Sequence, residues 1–212
     1  MIGTLTHAVA IVTSVLVFWG GCTEREGMMR GELSSADPWV RETGLARLNV
    51  GDDAWVVTVI DMLERDPDAG VRASSAAALG RIGDRRATPL LVHAAAHDTD
   101  IYVRHRACLS LGELRDEGAI APLITLWRRF GNGDPTSLAV SEALSTIGAP
   151  AVSALVVALD DGDWFVRWQA VGTLGRIADA KTEPVRAAIS KRLDDEHAMV
   201  RDEARSALEK LW

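Results

Sequence analysis

One phrase recurs along this chain and limits what it can fold into. It is a turn aspartate, then Val-Arg, then small residues, then a leucine eight positions after the valine. It reads DPWVRETGLARL at 37–48, DAGVRASSAAALG at 68–80, DIYVRHRACLSLG at 100–112 and DWFVRWQAVGTLG at 163–175. A further copy, HAMVRDEARSAL, lies at 197–208, and a degenerate one, DPTSLAVSEALS, at 134–145. The anchoring leucines are Leu48, Leu79, Leu111, Leu144, Leu174 and Leu208, spaced by 31, 32, 33, 30 and 34 residues. Such self-similarity marks stacked supersecondary units, each burying its apolar face only against its neighbours.

The unit is a helical hairpin. Between the phrases lie second helical stretches at 54–64, 88–97, 121–130, 150–160 and 183–193. Several open with proline (Pro89, Pro122, Pro150, Pro184), tolerated in a helix's first turn where the missing N–H has no partner to lose. Ala, Leu, Arg and Glu abound, as helix requires. In the recurring phrase, Asp37, Asp68, Asp100, Asp134 and Asp163 stand where an N-cap carboxylate accepts orphan backbone N–H groups. Gly83 and Gly148 stand where a helix ends through a left-handed residue. The valine, the small residue four later and the leucine eight later share one helical face. Gly80, Gly112 and Gly175 follow the leucine directly and cost helix propensity, so close helix approach is the reason expected for them.

Asp-x-x-Val-Arg-x-x-Ala-x-x-x-Leu-Gly resembles the HEAT-like repeats of the phycobilisome lyases and of many bacterial scaffold proteins. The resemblance covers residues 37–212. It implies an all-α fold, an α-α superhelix of about five to six helical hairpins with a concave binding face. The last unit, with Arg201, Asp202, Glu203, Arg205, Glu209 and Lys210, has the polar surface of a terminal cap.

Residues 1–21 differ in kind. They carry no Asp, Glu, Lys or Arg, and AVAIVTSVLVFW at 8–19 has the length of a signal-peptide apolar core rather than of a full membrane span. The run ends in Gly20-Gly21-Cys22, which resembles the lipobox of bacterial lipoproteins. That resemblance implies lipidation of Cys22 and a cell-envelope location, membrane-anchored and facing the periplasm or exterior. Trp19 departs from the aliphatic residue the lipobox prefers, which leaves a plain N-terminal anchor, a cleaved secretory signal peptide or a misassigned start as the other readings. Residues 22–36 read as a polar tether with room for a short helix.

Within the repeats, Arg41, Arg72, Arg104, Arg167 and Arg201 follow the valines, and Asp66, Asp98, Asp161 and Asp195 lie six residues before four of them. The matched carboxylates point to an inter-repeat Asp–Arg ladder. Trp168 occupies a column otherwise held by Glu42, Ala73, His105 and Asp202, which makes it a candidate interface anchor. Phe165 shares a column with Trp39, Gly70, Tyr102 and Met199, an apolar stripe along one edge. Trp164, Phe165, Trp168, Tyr102 and Trp39 are therefore the candidate partner-binding residues. The insert FGNGDP at 130–135 interrupts the fourth unit, which also lacks Val-Arg.

No motif carries chemistry. His93 and His97 share a helix face but lack the three or four convergent ligands of a metal site. Cys108, at a small-residue position, reads as a buried structural thiol. The pairs Asp52-Asp53, Asp160-Asp161 and Asp194-Asp195 fall at helix ends, and no phosphate loop or nucleophile motif occurs. A net charge of −7 disfavours binding to nucleic acid. The function expected is a non-catalytic protein–protein interaction scaffold tethered to a bacterial membrane, with no cofactor. The lyase resemblance implies the alternative, a bilin-lyase-like enzyme or chaperone.

Overall fold

The computed structural model describes residues 24–211. Among them there are twelve α-helices and no strand. The chain divides into two compact units, split after Arg47.

The described part of the first unit is one hairpin. Helix α1 spans 24–33 and helix α2 spans Pro38–Ala46. The segment read as a tether is thus largely helical. Met29 and Leu33, one turn apart, bury themselves among its polar residues. The two helices pack closely: a Cβ built on Gly44 would stand 3.0 Å from the Glu32 Cβ. Glu32 also pairs with Arg47.

The second unit holds five hairpins. Their first helices, the A layer, are α3 (Val56–Arg65), α5 (Thr88–His97), α7 (Ile120–Phe130), α9 (Val152–Ala158) and α11 (Glu183–Ser190). Their second helices, the B layer, are α4 (Ala69–Ile82), α6 (Ile101–Leu114), α8 (Pro135–Ile147), α10 (Trp164–Leu174) and α12 (Ala198–Leu211). Each B helix packs on its own A helix and on the B helices before and after it. The layers are all-α and stacked in chain order, as the repeat requires.

Every expected aspartate N-cap forms. Asp37, Asp68, Asp100, Asp134 and Asp163 accept from backbone N–H groups two or three residues on, at 2.8 to 3.3 Å. Gly83 and Gly148 end their helices at φ +83° and +77°. Arg115 takes the same place after α6 at φ +47°, in the left-handed region without the freedom of glycine.

The core is the repeating valine and leucine. Val71, Val103, Val166 and Val200 are fully buried, as are Leu79, Leu111, Leu144 and Leu174. Burying one such side chain is worth about 1.5–3 kcal/mol, summed over a regular stack. The glycines after the leucines set the separation of the B helices. A Cβ on Gly112 would meet the Ala143 backbone, and one on Gly175 would sit 3.2 Å from the Ala207 Cβ. A Cβ on Gly80 would stand 3.0 Å from Ser110.

Candidate protein-binding face

The arginines of the phrase are structural. Arg72 donates through Nη1 to the Asp66 carbonyl at 3.0 Å, holding its own hairpin turn. Its Nε and Nη2 reach both oxygens of Asp98 in the next unit, at 2.9 Å each. Arg167 repeats this with the Asp161 carbonyl at 2.9 Å and with both oxygens of Asp195 at 2.9 and 2.8 Å. Arg201 closes the series on the Asp195 carbonyl. Each aspartate also accepts the N–H two residues on, so one carboxylate binds a turn and a neighbouring unit together. Burial pushes the Asp98 and Asp195 carboxyls up, but the hydrogen bonds from Arg72 or Arg167 and from the backbone outweigh it and hold both below the ordinary carboxylate range.

The fourth unit departs from this pattern by one residue. Leu144 keeps the leucine position, which puts Thr136 in the valine column, fully buried, and Ser137 in the arginine column. Ser137 Oγ donates to the carbonyl six residues back, Gly131, at 2.8 Å, the turn bond the arginines make elsewhere. A hydroxyl cannot also reach the next unit, and Arg128 of α7 takes Asp161 instead. With glycine at 131, Arg104 finds no aspartate six before the column and pairs with the N-cap Asp134 at 3.2 Å. Trp127 fills the space beneath, fully buried, donating its indole N–H to the Ser137 carbonyl.

The face of the B layer turned away from the A layer carries side chains the core does not use. Tyr102 is 76% exposed and Leu138 63%. Met199 is also exposed, and Trp168 is partly buried. Leu138 holds the column of His105 and Trp168 once α8 is aligned on Leu144. Leu138 is not among the candidates drawn from the sequence, where the degenerate fourth unit contributes no residue to that column.

The expected aromatic group is only partly a surface. Phe165 is 3% exposed and is corrected to a core residue: Trp164 meets it edge-on at 5.8 Å and Trp168 lies against it at 5.7 Å. Trp164 stacks on His197 with ring centroids 3.8 Å apart, joining α10 to α12. The stripe thus breaks at Phe165, while Tyr102 and Met199 remain open on it. Trp39 is 72% exposed in the first unit.

Other singled-out residues sit apart from this face. His93 and His97 lie on α5 with ring centroids 4.9 Å apart, and among the described residues no group of three or more potential ligands gathers around them or elsewhere. Cys108 is fully buried, and its thiol is pushed up to about 12 by desolvation. Among the described residues no single helix is long and apolar enough to cross a membrane. Cys22 and the apolar run 8–19 lie outside the described residues.

A family model of HEAT repeats matches residues 30–105, 56–129 and 134–209. This chain belongs to the HEAT-repeat family. Among solved structures it is similar to the complex of CpcE and CpcF of phycocyanin lyase from Nostoc sp., at 27% identity and a TM-score of 0.55. That match covers 84% of this chain and 74% of the other. The archaeal HEAT-like repeats protein from Thermococcus onnurineus shares the fold at 14% identity and a TM-score of 0.55, over 88% of this chain and 80% of that one. An engineered protein shares it at 21% identity and a TM-score of 0.51, over 89% and 96%. No curated protein matches this chain.

Proposed function

We propose that this HEAT protein is a protein-interaction scaffold that takes its partner across the open face of the B layer. The observation that carries the reading is the set of apolar side chains left exposed there. Tyr102 and Leu138 are mostly exposed, and both project from successive helices of the B layer. Exposed apolar side chains gathered on one face are the raw material of an interface, where buried aromatic and aliphatic anchors supply most of the binding energy. The Asp–Arg ladder and the glycine contacts hold those side chains at fixed separations, so little ordering cost falls on binding. The test is to replace Tyr102 and Leu138 by serine in one variant. Partner capture should fall while the helical circular dichroism and unfolding midpoint stay unchanged. Undiminished capture would place the interface elsewhere.

The location belongs to the same reading. We place the repeats at the cell envelope, held through a lipidated Cys22, because an uncharged apolar run ends in Gly-Gly-Cys. Intact-mass spectrometry of protein from the native membrane fraction should give a chain beginning at Cys22 and carrying a diacylglyceryl or triacyl mass. An unmodified full-length mass would set this aside.

The likeness to CpcE and CpcF supports a second reading, a bilin-handling enzyme or chaperone built on the same repeats. Adding a bilin to the purified protein decides between them. The scaffold reading expects an unchanged chromophore spectrum, and a shifted, intensified absorption band would favour the second.

A further inference from the structure

The B layer is not uniform: one of its joints departs from the others. Between α4 and α6, α6 and α8, and α10 and α12, a glycine lets one helix settle against the next. At the joint of α8 and α10 the corresponding residue is Ser145, and these two helices approach less closely than other neighbours in the layer. Two cavities open along this joint, of about 490 and 380 Å³, and they share Ser145, Thr146 and Arg176 as common wall. Leu138 lies at the end of the smaller cavity, and Arg115 lines the larger.

Neither arginine of this joint belongs to the Asp–Arg ladder. Arg176 donates only to hydroxyls, Ser145 Oγ at 3.3 Å and Thr173 Oγ1 at 3.2 Å, and forms no ion pair among the described residues. Glu142 and Glu203 are near enough to favour its charge but do not bond it, while desolvation in the groove works against that charge. Arg115 is exposed, its guanidinium makes no hydrogen bond among the described residues, and its backbone is held left-handed where Gly83 and Gly148 serve the equivalent turns. A side chain kept at a position that favours glycine points to a use for that side chain. The hydroxyls of Ser145 and Thr146 spend their protons on the Ser141 and Glu142 carbonyls, so the two guanidiniums are the donors of a carboxylate site, and Leu138 supplies an apolar shelf beside it.

We propose that the α8–α10 groove binds an extended internal segment of the partner protein, with an Asp or Glu side chain on Arg115 and Arg176 and a nearby apolar side chain on Leu138. This rests on the interaction reading above and names the partner's chemistry for one part of that face. Asp179 lines the larger cavity and Glu142 the smaller, and both would repel a run of acidic residues, so the segment carries a single carboxylate flanked by uncharged residues.

Random dodecapeptides displayed on phage, as internal segments without a free carboxyl terminus, test this when selected on the full chain. Enriched peptides should pair one Asp or Glu with an aliphatic or aromatic residue. The consensus peptide should bind Arg176→Gln and Leu138→Ser variants ~10-fold more weakly, as loss of a charge-assisted contact implies. A Val57→Ser variant, altered on the A layer, should bind it unchanged, and circular dichroism confirms that each variant is folded. Enrichment without an acidic residue, or binding indifferent to Arg176→Gln, would overturn the proposal. Peptides lost on Tyr102→Ser but not on Arg176→Gln would overturn the groove while leaving the wider face standing. Failure to enrich any peptide would overturn the groove as a peptide site and leave the face to folded partners.

Discussion

A Cβ added to Gly112 would stand 2.8 Å from the Cα of Ala143, inside the backbone of the next B helix. Backbone cannot swing aside as a side chain can. Gly112→Ala should therefore destabilise the stack by about 1–3 kcal/mol, the usual cost of overpacking, despite alanine's better helix propensity. Gly80→Ala is the comparison: its Cβ meets the Glu113 carboxylate, which can swing away, and the Ser110 Cβ at 3.0 Å, which needs only a shift of a few tenths of an ångström. Urea unfolding of the two variants should rank Gly112→Ala as clearly the more damaging. Equal midpoints would mean the helices have room to shift.

The ladder rungs differ by burial. Arg167 and Asp195 expose only 6% and 3% of their side chains, whereas Arg128, paired to Asp161, exposes 54%. Arg167→Ala leaves the buried Asp195 carboxylate with only Arg192 at 3.6 Å and the His197 N–H, and should cost about 3 kcal/mol. Arg128→Ala also strands a carboxylate, since Asp161 exposes only 9%, but removes a mostly exposed guanidinium and leaves the Asp163 N–H in place, so it should cost less, about 1–2 kcal/mol. Chemical denaturation of both variants checks the order.

The same pairs set a pH dependence. Asp98, Asp134, Asp161 and Asp195 all have their pKa lowered in the fold. A carboxylate with a lowered folded pKa contributes stability that is present above its unfolded value, about 3.9, and is lost as pH falls through the folded value. Stability should therefore be flat near neutrality and fall below about pH 4. The Asp195→Asn variant should be less stable at pH 7 and show a shallower acid decline. An acid profile identical to that of the unaltered chain would contradict the assignment.

Cys108 should be inert. Its thiol is fully buried and pushed up to about 12, so essentially none is thiolate at pH 8. Iodoacetamide should label it only in denaturant. Rapid labelling of Cys108 in the native protein, located by peptide mass mapping, would show that α6 opens.

The hairpin stack was legible in the sequence because each unit is buried by its neighbours, so one packing solution recurs and writes the same residues every thirty or so positions. The ladder was legible for the same reason, since an arginine and an aspartate six residues apart must serve adjacent units. Two local features were not. Helix α1 was obscured because Met29 and Leu33 are its only deeply buried side chains amid charge. The fourth unit's register was obscured because Asp134, which caps α8 like the other aspartates, stands one residue closer to its leucine. Only the burial of Thr136 and the bond from Ser137 to Gly131 show which residue replaces which. Phe165 was misplaced because its column is exposed at Tyr102 and Met199. Its neighbours Trp164 and Trp168, peculiar to α10, are what cover it.

The most direct test of the proposed binding face is site-specific photo-crosslinking in the native cells. A benzophenone side chain would be placed at Leu138, on the open face of the B layer, and in a separate strain at Val57, which is 69% exposed on the A layer. The expected result is a discrete crosslinked adduct from position 138, absent from position 57 and lost when Arg176 is also replaced by glutamine. Adducts at position 57 with none at position 138 would contradict the assignment of the partner to the B layer.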